Sequence, residues 1–105
     1  MTESQIQVQC VQWFWNTFPE SRGLLFEVNN NPKSARDGAR RKAMGMVSGV
    51  SDLILFRNNL CPICIEMKDA IGRQSNSQKE WQLKAEGCGY DYRVIRSLKE
   101  FKELF

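Results

Sequence analysis

Asp52-Leu53-Ile54-Leu55-Phe56-Arg57-Asn58-Asn59 leads through Leu60-Cys61-Pro62 into Ile63-Cys64-Ile65-Glu66-Met67-Lys68, and this stretch decides the fold. Leu53 to Phe56 is apolar on both faces, the mark of a strand covered on both sides. Arg57-Asn58-Asn59 reads as a hairpin turn and Ile63 to Lys68 as the returning strand. Side chains alternate along a strand, so Glu66 and Lys68 share one face while Met67 joins Ile65 and Ile63 on the other. With the turn centred on Asn58 and Asn59, Asp52 lies across from the Glu66–Lys68 end. Two carboxylates and an ammonium then meet at one end of a sheet.

The elements around this hairpin follow from local signals. Thr2-Glu3-Ser4-Gln5 fits a capping box, which starts a helix at residue 2 or 3 and runs it to Phe18, ahead of Pro19. Its apolar stripe is Ile6, Cys10, Trp13 and Phe14, widened by Val8, Val11, Trp15 and Phe18. That is more apolar surface than one core face requires, leaving some for a second subunit. Leu24 to Val28 reads as a strand, ended by the turn Asn29-Asn30-Asn31-Pro32. Residues 34–47 read as helix, weakened by Gly38 and Gly45. Ser75-Asn76-Ser77-Gln78 opens a helix to about Glu86, closed by Gly87 and Gly89. Tyr90 to Arg96 is a strand, and Ser97-Leu98-Lys99-Glu100 caps a last helix that buries Leu98, Phe101 and Phe105. The order α-β-α-β-β-α-β-α gives an α/β domain with one mixed sheet flanked by helices.

Composition narrows the chemistry. The 105 residues include four Cys and no His, with 42% hydrophobic residues and a net charge of +3. That length fits a single domain over residues 1–105. Without His there is no Ser-His or Cys-His triad, no His metal ligand and no His general base. No apolar run reaches the roughly 18 residues of a membrane span, so no membrane partner is expected. No basic start precedes an apolar segment, so no signal peptide is expected and the cytoplasm is the anticipated location. Residues 1–32 balance to −2 and residues 43–105 to +1. Residues 33–42 carry Lys33, Arg36, Arg40, Arg41 and Lys42 against Asp37, a balance of +4. Such a patch is either a solvated helix face or a surface that meets phosphate.

Asp52 and Glu66 are hard oxygen donors of the kind that hold Mg²⁺ or Mn²⁺ with phosphate and water completing the shell. Such a cation polarises a phosphate and lowers the pKa of bound water. Lys68 would orient or deprotonate the attacking water, or neutralise charge in the transition state. The competing reading is an exposed cross-strand ion pair worth ~0–1 kcal/mol. Glu3 lies on the buried stripe by helical spacing, which asks for a partner such as a metal site; its placement in a first helical turn is the alternative. Gln78 shares a stripe with Trp81 and Ala85 and is also the glutamine of a capping box.

Cys61-Pro62-Ile63-Cys64 is a CxxC, the spacing of zinc knuckles and thioredoxin-like sites. A zinc site needs two more ligands, and only Cys10 and Cys88 remain, singly. A thioredoxin motif opens a helix, whereas this one runs into a strand, so the thiols read as packing groups.

Gly45-Met46-Val47-Ser48-Gly49-Val50-Ser51-Asp52-Leu53, then Ile65-Glu66-Met67-Lys68, then Gly72-Arg73 with Ser75, Gln78 and Trp81, resembles the VRR-NUC (virus-type replication-repair nuclease) domain of the PD-(D/E)XK superfamily. Gly89 with Tyr92-Arg93-Val94-Ile95-Arg96-Ser97 is similar to that family's last strand. Glu3 matches the acidic residue of its first helix, and Asn29 and Asn30 its polar turn. The resemblance spans nearly the whole chain in order, and it departs at Ser51, where the family often has Pro.

The resemblance implies a restriction-endonuclease-like core and an Mg²⁺- or Mn²⁺-dependent phosphodiesterase acting on DNA. Asp52, Glu66 and the Met67 carbonyl would bind metal, with Glu3 completing the site through water. Lys68 would be the catalytic lysine and Gln78 a supporting residue. Lys33 to Lys42, leading into the Asp52 loop, and Arg73 would hold the phosphate backbone. The chain looks like the stand-alone phage type, whose members resemble symmetric dimers that cut branched DNA such as four-way junctions. The alternatives are a nuclease on 5′ flaps or single-stranded ends, a non-catalytic DNA-binding module, and a Cys-based zinc or redox protein.

Overall fold

The hairpin forms the middle of the sheet. In the computed structural model, which describes residues 1–28 and 31–105, strand β2 (Leu53–Arg57) turns at Asn58–Asn59 into strand β3 (Leu60–Met67). Asn59 takes the turn at a φ of 57°, which its short polar side chain tolerates. Leu53 pairs with Ile65 and Leu55 with Ile63 in antiparallel register. β3 starts at Leu60, ahead of the Ile63 that alternation indicates. The register shifts between Leu55 and Arg57, with the extra residue on β3 beside Pro62. A bulge there accommodates a residue that has no N–H to give the ladder.

Two further strands complete a mixed four-stranded sheet of order β1-β2-β3-β4. β1 (Leu25–Glu27) runs antiparallel to β2, with Glu27 opposite Leu53. β4 (Asp91–Ile95) runs parallel to β3, with Glu66 opposite Val94 and Met67 opposite Ile95. β3 is therefore paired on both sides. The expected turn at Asn29 and Asn30 lies outside the described residues.

Helices α1 (Glu3–Thr17) and α4 (Leu98–Lys102) cover one face of the sheet. Ile6, Cys10 and Phe14 of α1 and Phe101 of α4 form one buried cluster with Leu53, Leu55, Ile63, Ile65, Met67 and Ile95. Trp13, Phe14, Phe18, Phe101 and Phe105 close one end of this core, with ring centroids 5.3–5.9 Å apart, a spacing at which aromatic rings attract beyond their area of burial. Phe105 contributes to this cluster yet stays half exposed, unlike the buried position expected for it. Val8 and Trp15 on the flank of α1 are exposed. α3 (Asn76–Gly87) makes the crossover from β3 to β4, and its Trp81 ring lies against Tyr92, 6.0 Å between centroids.

Other local details also differ from the sequence reading. Helix α2 covers only Ala35–Ala43, because the chain leaves the helix at Met44 and Gly45 adopts a φ of 107°. A 3-10 turn at Pro19–Ser21 follows α1. At α4 the capping box is displaced: Ser97 Oγ accepts from the Glu100 N–H, but the Glu100 carboxylate accepts from the N–H of Arg96. No helix among the described residues is long and apolar enough to cross a membrane.

Gly49 fixes the loop that delivers Asp52. It sits at a φ of 84°, and a Cβ there would overlap the Ser77 carbonyl on the first turn of α3. Ala at this position must displace either the loop before Asp52 or the turn that carries Gln78. Gly49→Ala is expected to destabilise the fold by on the order of 1–3 kcal/mol, read as a lower urea midpoint at unchanged slope. A wild-type midpoint would contradict this close packing.

Candidate active site

The site lies where β2 begins and β3 ends. Asp52 precedes β2 and is tied down by both its ends. Its carbonyl accepts from the Val28 N–H at 2.9 Å, and its Oδ2 accepts from the Met67 N–H at 2.6 Å. The side chain thus takes over the ladder position that β2 has not yet reached. Ser51, fully buried, donates its hydroxyl to the Leu53 carbonyl at 3.2 Å. A hydrogen bond holds this approach to Asp52 where a proline would fix it through φ.

Glu66 is 1% exposed on the central strand, so its charge has to be met inside the protein. Gln78 Nε2 donates to Oε2 at 2.9 Å, and the Tyr92 hydroxyl donates to Oε1 at 3.1 Å. The Lys68 ammonium is 3.5 Å from Oε2 and 3.4 Å from Glu3 Oε1. Lys68 is itself buried, so the Glu66–Lys68 pair is not the exposed cross-strand pair that was the competing reading. Glu3 is half exposed in the first turn of α1. The spacing that placed it on the buried stripe is corrected: it stands at the rim, and its partner is Lys68.

Gln78 fills both of the roles open to it. Its Oε1 accepts from the Ser75 N–H at 2.8 Å, closing the capping box of α3, while its Nε2 holds Glu66. The two ends of one amide thereby fix each other's orientation.

Electrostatics leave this site short of positive charge. Burial first, and then the Asp52 carboxylate, push the Glu66 carboxyl up to about 7, against the pull of Lys68 and the Tyr92 hydroxyl. A cation between the carboxylates would relieve this. Among the described residues no three His, Cys, Asp or Glu side chains group as a metal cage. The donors fit instead an ion that takes one or two carboxylates and keeps other oxygens from water and substrate, as Mg²⁺ does. The Met67 N–H points at Asp52, and in an extended strand the carbonyl of the same residue points the same way. Asp52, Glu66 and that carbonyl are thus the available set.

A cavity of about 560 Å³ opens here, lined among others by Glu3, Glu27, Asn31, Asp52, Met67 and Gln78. Two of the residues around the site were not anticipated. Glu27 reaches the cavity from the end of β1, opposite Leu53. It is the one charged residue in the Leu24–Val28 segment, a signal the alternation reading passed over. Tyr92 carries its hydroxyl to Glu66 from β4, a contact no spacing within one element encodes.

The basic residues are placed less uniformly. Asp37 accepts from Arg41 Nε at 2.9 Å and lies 3.4 Å from Arg40 Nη2, and it also accepts from the Lys33 N–H. These bonds hold the Asp37 carboxyl below its usual range. Part of the +4 is thus turned inward on α2. Lys33, Arg36 and Lys42 keep exposed side chains. Arg41 lines a neighbouring cavity that shares Val50 with the site cavity. Arg73 is exposed on the loop after Lys68. Arg96 Nη1 braces that loop by donating to the Asp69 and Gly72 carbonyls, each at 2.7 Å.

Comparison with known proteins gives one consistent answer. A family model described as the VRR-NUC domain matches residues 1–99. A solved structure titled "VRR_NUC domain protein" superposes with a TM-score of 0.78 over 99% of this chain and 84% of that chain, at 21% identity. No curated protein matches. The fold, an α/β arrangement with one mixed sheet flanked by helices, is that of the solved neighbour.

The raised Glu66 pKa fixes the sign of a pH effect in metal-free protein. The folded state binds this proton more tightly than the unfolded chain, so stability falls as pH rises from about 4.5 to about 7. Glu66→Gln removes the titration. In EDTA, urea unfolding should show Glu66→Gln gaining stability relative to wild type between about pH 5 and about pH 7.5. Parallel pH profiles for the two proteins would contradict the assignment.

Proposed function

The chain belongs to the VRR-NUC domain family of PD-(D/E)XK-type nucleases, and from that premise we propose that it is a divalent-metal endonuclease cutting branched DNA as a homodimer. The observation that carries the site assignment is the buried Glu66 on β3, held beside Asp52 and Lys68.

Asp52, Glu66 and the Met67 carbonyl would hold Mg²⁺ or Mn²⁺, with Glu3 contributing through water. The bound cation supplies polarisation of the scissile phosphate and a more acidic water. Lys68 acts from its place between Glu66 and Glu3: its ammonium donates to the attacking water or meets charge that builds on the phosphate. Gln78 holds one oxygen of the Glu66 carboxylate. Lys33, Arg36, Arg40, Arg41, Lys42 and Arg73 contact the sugar-phosphate backbone, which positions DNA without reading its sequence. Selection then rests on the shape of the substrate, and a four-way junction is the shape proposed.

Paired cuts across a junction need two active sites related by a two-fold axis, which a C₂ dimer supplies. The exposed Val8 and Trp15 on α1, beside a cavity of about 540 Å³ that Leu25 and Phe26 also line, support a second copy on this flank. The stand-alone phage type, acting in the cytoplasm, is the setting proposed for it.

The deciding experiment compares linear, flap and four-way DNA of matched sequence with Mg²⁺ or Mn²⁺. The four-way junction should be cut fastest, with symmetric paired nicks. Faster cutting of a 5′ flap would replace the branched-DNA reading, and no cutting of any substrate would refute the enzyme. Asp52→Ala, Glu66→Ala and Lys68→Ala should each lower the rate by about 10²–10³-fold, the scale of losing several kcal/mol of transition-state stabilisation. Arg36→Ala and Lys42→Ala should instead weaken DNA binding and each reduce the slope of log K against log salt by about 1. A monomer in sedimentation that still makes paired nicks would rule out the dimer.

A further inference from the structure

Each oxygen of the Glu66 carboxylate receives one neutral donor, and the two donors come from different elements. Gln78 on α3 serves Oε2, and Tyr92 on β4 serves Oε1. Tyr92 pairs in register with Cys64, two residues before the Val94 that faces Glu66. Its ring is buried against Trp81 and leans along the sheet, so that its hydroxyl arrives at the carboxylate.

The direction of the hydroxyl proton is set from outside. Gln74 Nε2 donates to the phenol oxygen at 3.5 Å and to Gln82 Oε1 at 3.0 Å. With an N–H aimed at the oxygen, the phenol hydrogen has Glu66 as its acceptor. The chain Gln82–Gln74–Tyr92–Glu66 therefore runs from α3, through the loop after Lys68, to the carboxylate. The terminal torsion of a glutamate is broad and fixed only by its partners. With Gln78 alone the carboxylate would be held by one oxygen; with Tyr92 its plane is held by both.

We propose that Tyr92 is a positioning residue that presents the Glu66 carboxylate to the divalent cation, with Gln74 setting the direction of its hydroxyl. This rests on the reading of Asp52 and Glu66 as cation ligands given above. Partners that orient a metal ligand typically matter 10- to 100-fold in affinity or activity. Removing the Tyr92 hydroxyl leaves the ring on Trp81 but takes one donor from the buried Glu66, so the melting temperature reads the cost to the fold and the cation midpoint reads the cost to the site.

The test is Mn²⁺ binding without DNA, followed by isothermal titration or by the spin signal of free Mn²⁺. Wild type, Asp52→Ala, Tyr92→Phe, Gln74→Leu and the exposed-site control Tyr90→Phe are compared, each melted in EDTA. Tyr92→Phe should raise the Mn²⁺ midpoint by about 10- to 100-fold, Gln74→Leu should raise it less, and Tyr90→Phe should leave it at the wild-type value. A wild-type midpoint in Tyr92→Phe, whatever its melting temperature, overturns the proposal. Should Tyr92→Phe fail to fold, a wild-type midpoint in Gln74→Leu overturns it equally. Absence of Asp52-dependent Mn²⁺ binding in the wild type itself refutes the cation site, and the proposal with it, before any Tyr92 comparison is made.

Discussion

A carboxylate buried on the central strand is the constraint around which this structure is arranged. Glu66 sits on β3, one of the two interior strands of the sheet, with almost no exposure. An ionised carboxylate in such a place has to find donors and countercharge. They come from several elements: Gln78 from α3, Tyr92 from β4, and the Lys68 ammonium just past the end of β3, which also pairs with Glu3 of α1. Burial, and after it Asp52, brought close through the Met67 N–H, works against this balance and keeps Glu66 reluctant to ionise. A fold stabilised only for its own sake would replace such a group by an apolar side chain. The proposed function gives the position its use, as a carboxylate presented to a divalent cation.

Much of the scaffold was legible because its signals are local. The capping box at Thr2 and Gln5 and the one at Ser75 and Gln78 both form as their spacing indicates. Alternation from Leu53 to Phe56 and from Ile63 to Lys68 placed the carboxylates at one sheet end. The errors also have local causes. Alternation starts the returning strand at Ile63, whereas β3 begins at Leu60 and a bulge takes Pro62 into it. Residues 34–47 looked helical throughout, and the left-handed turn at Gly45 ends the helix early.

What the sequence left dark is where two elements meet. Tyr92 on its strand looks like any core aromatic, and only the parallel register of β4 on β3 brings its hydroxyl to Glu66. Glu27 becomes a cavity residue because β1 stops beside the start of β2. Glu3 was assigned to the buried stripe by helical spacing, yet the first turn of α1 opens at the rim and pairs it with Lys68. The basic run from Lys33 to Lys42 was read as one patch, but Asp37 draws Arg40 and Arg41 back onto the helix. In each case composition was visible and direction was not.

In the proposed function Asp52 and Glu66 together form a cation site at the junction of β2 and β3. Crystals grown with Mn²⁺ and measured for anomalous scattering test it most directly. A peak is expected with Asp52 and Glu66 oxygens and the Met67 carbonyl at coordination distance, roughly 2.0–2.3 Å. A well-occupied peak elsewhere, with Glu66 still bound only to Gln78, Tyr92 and Lys68, would contradict it.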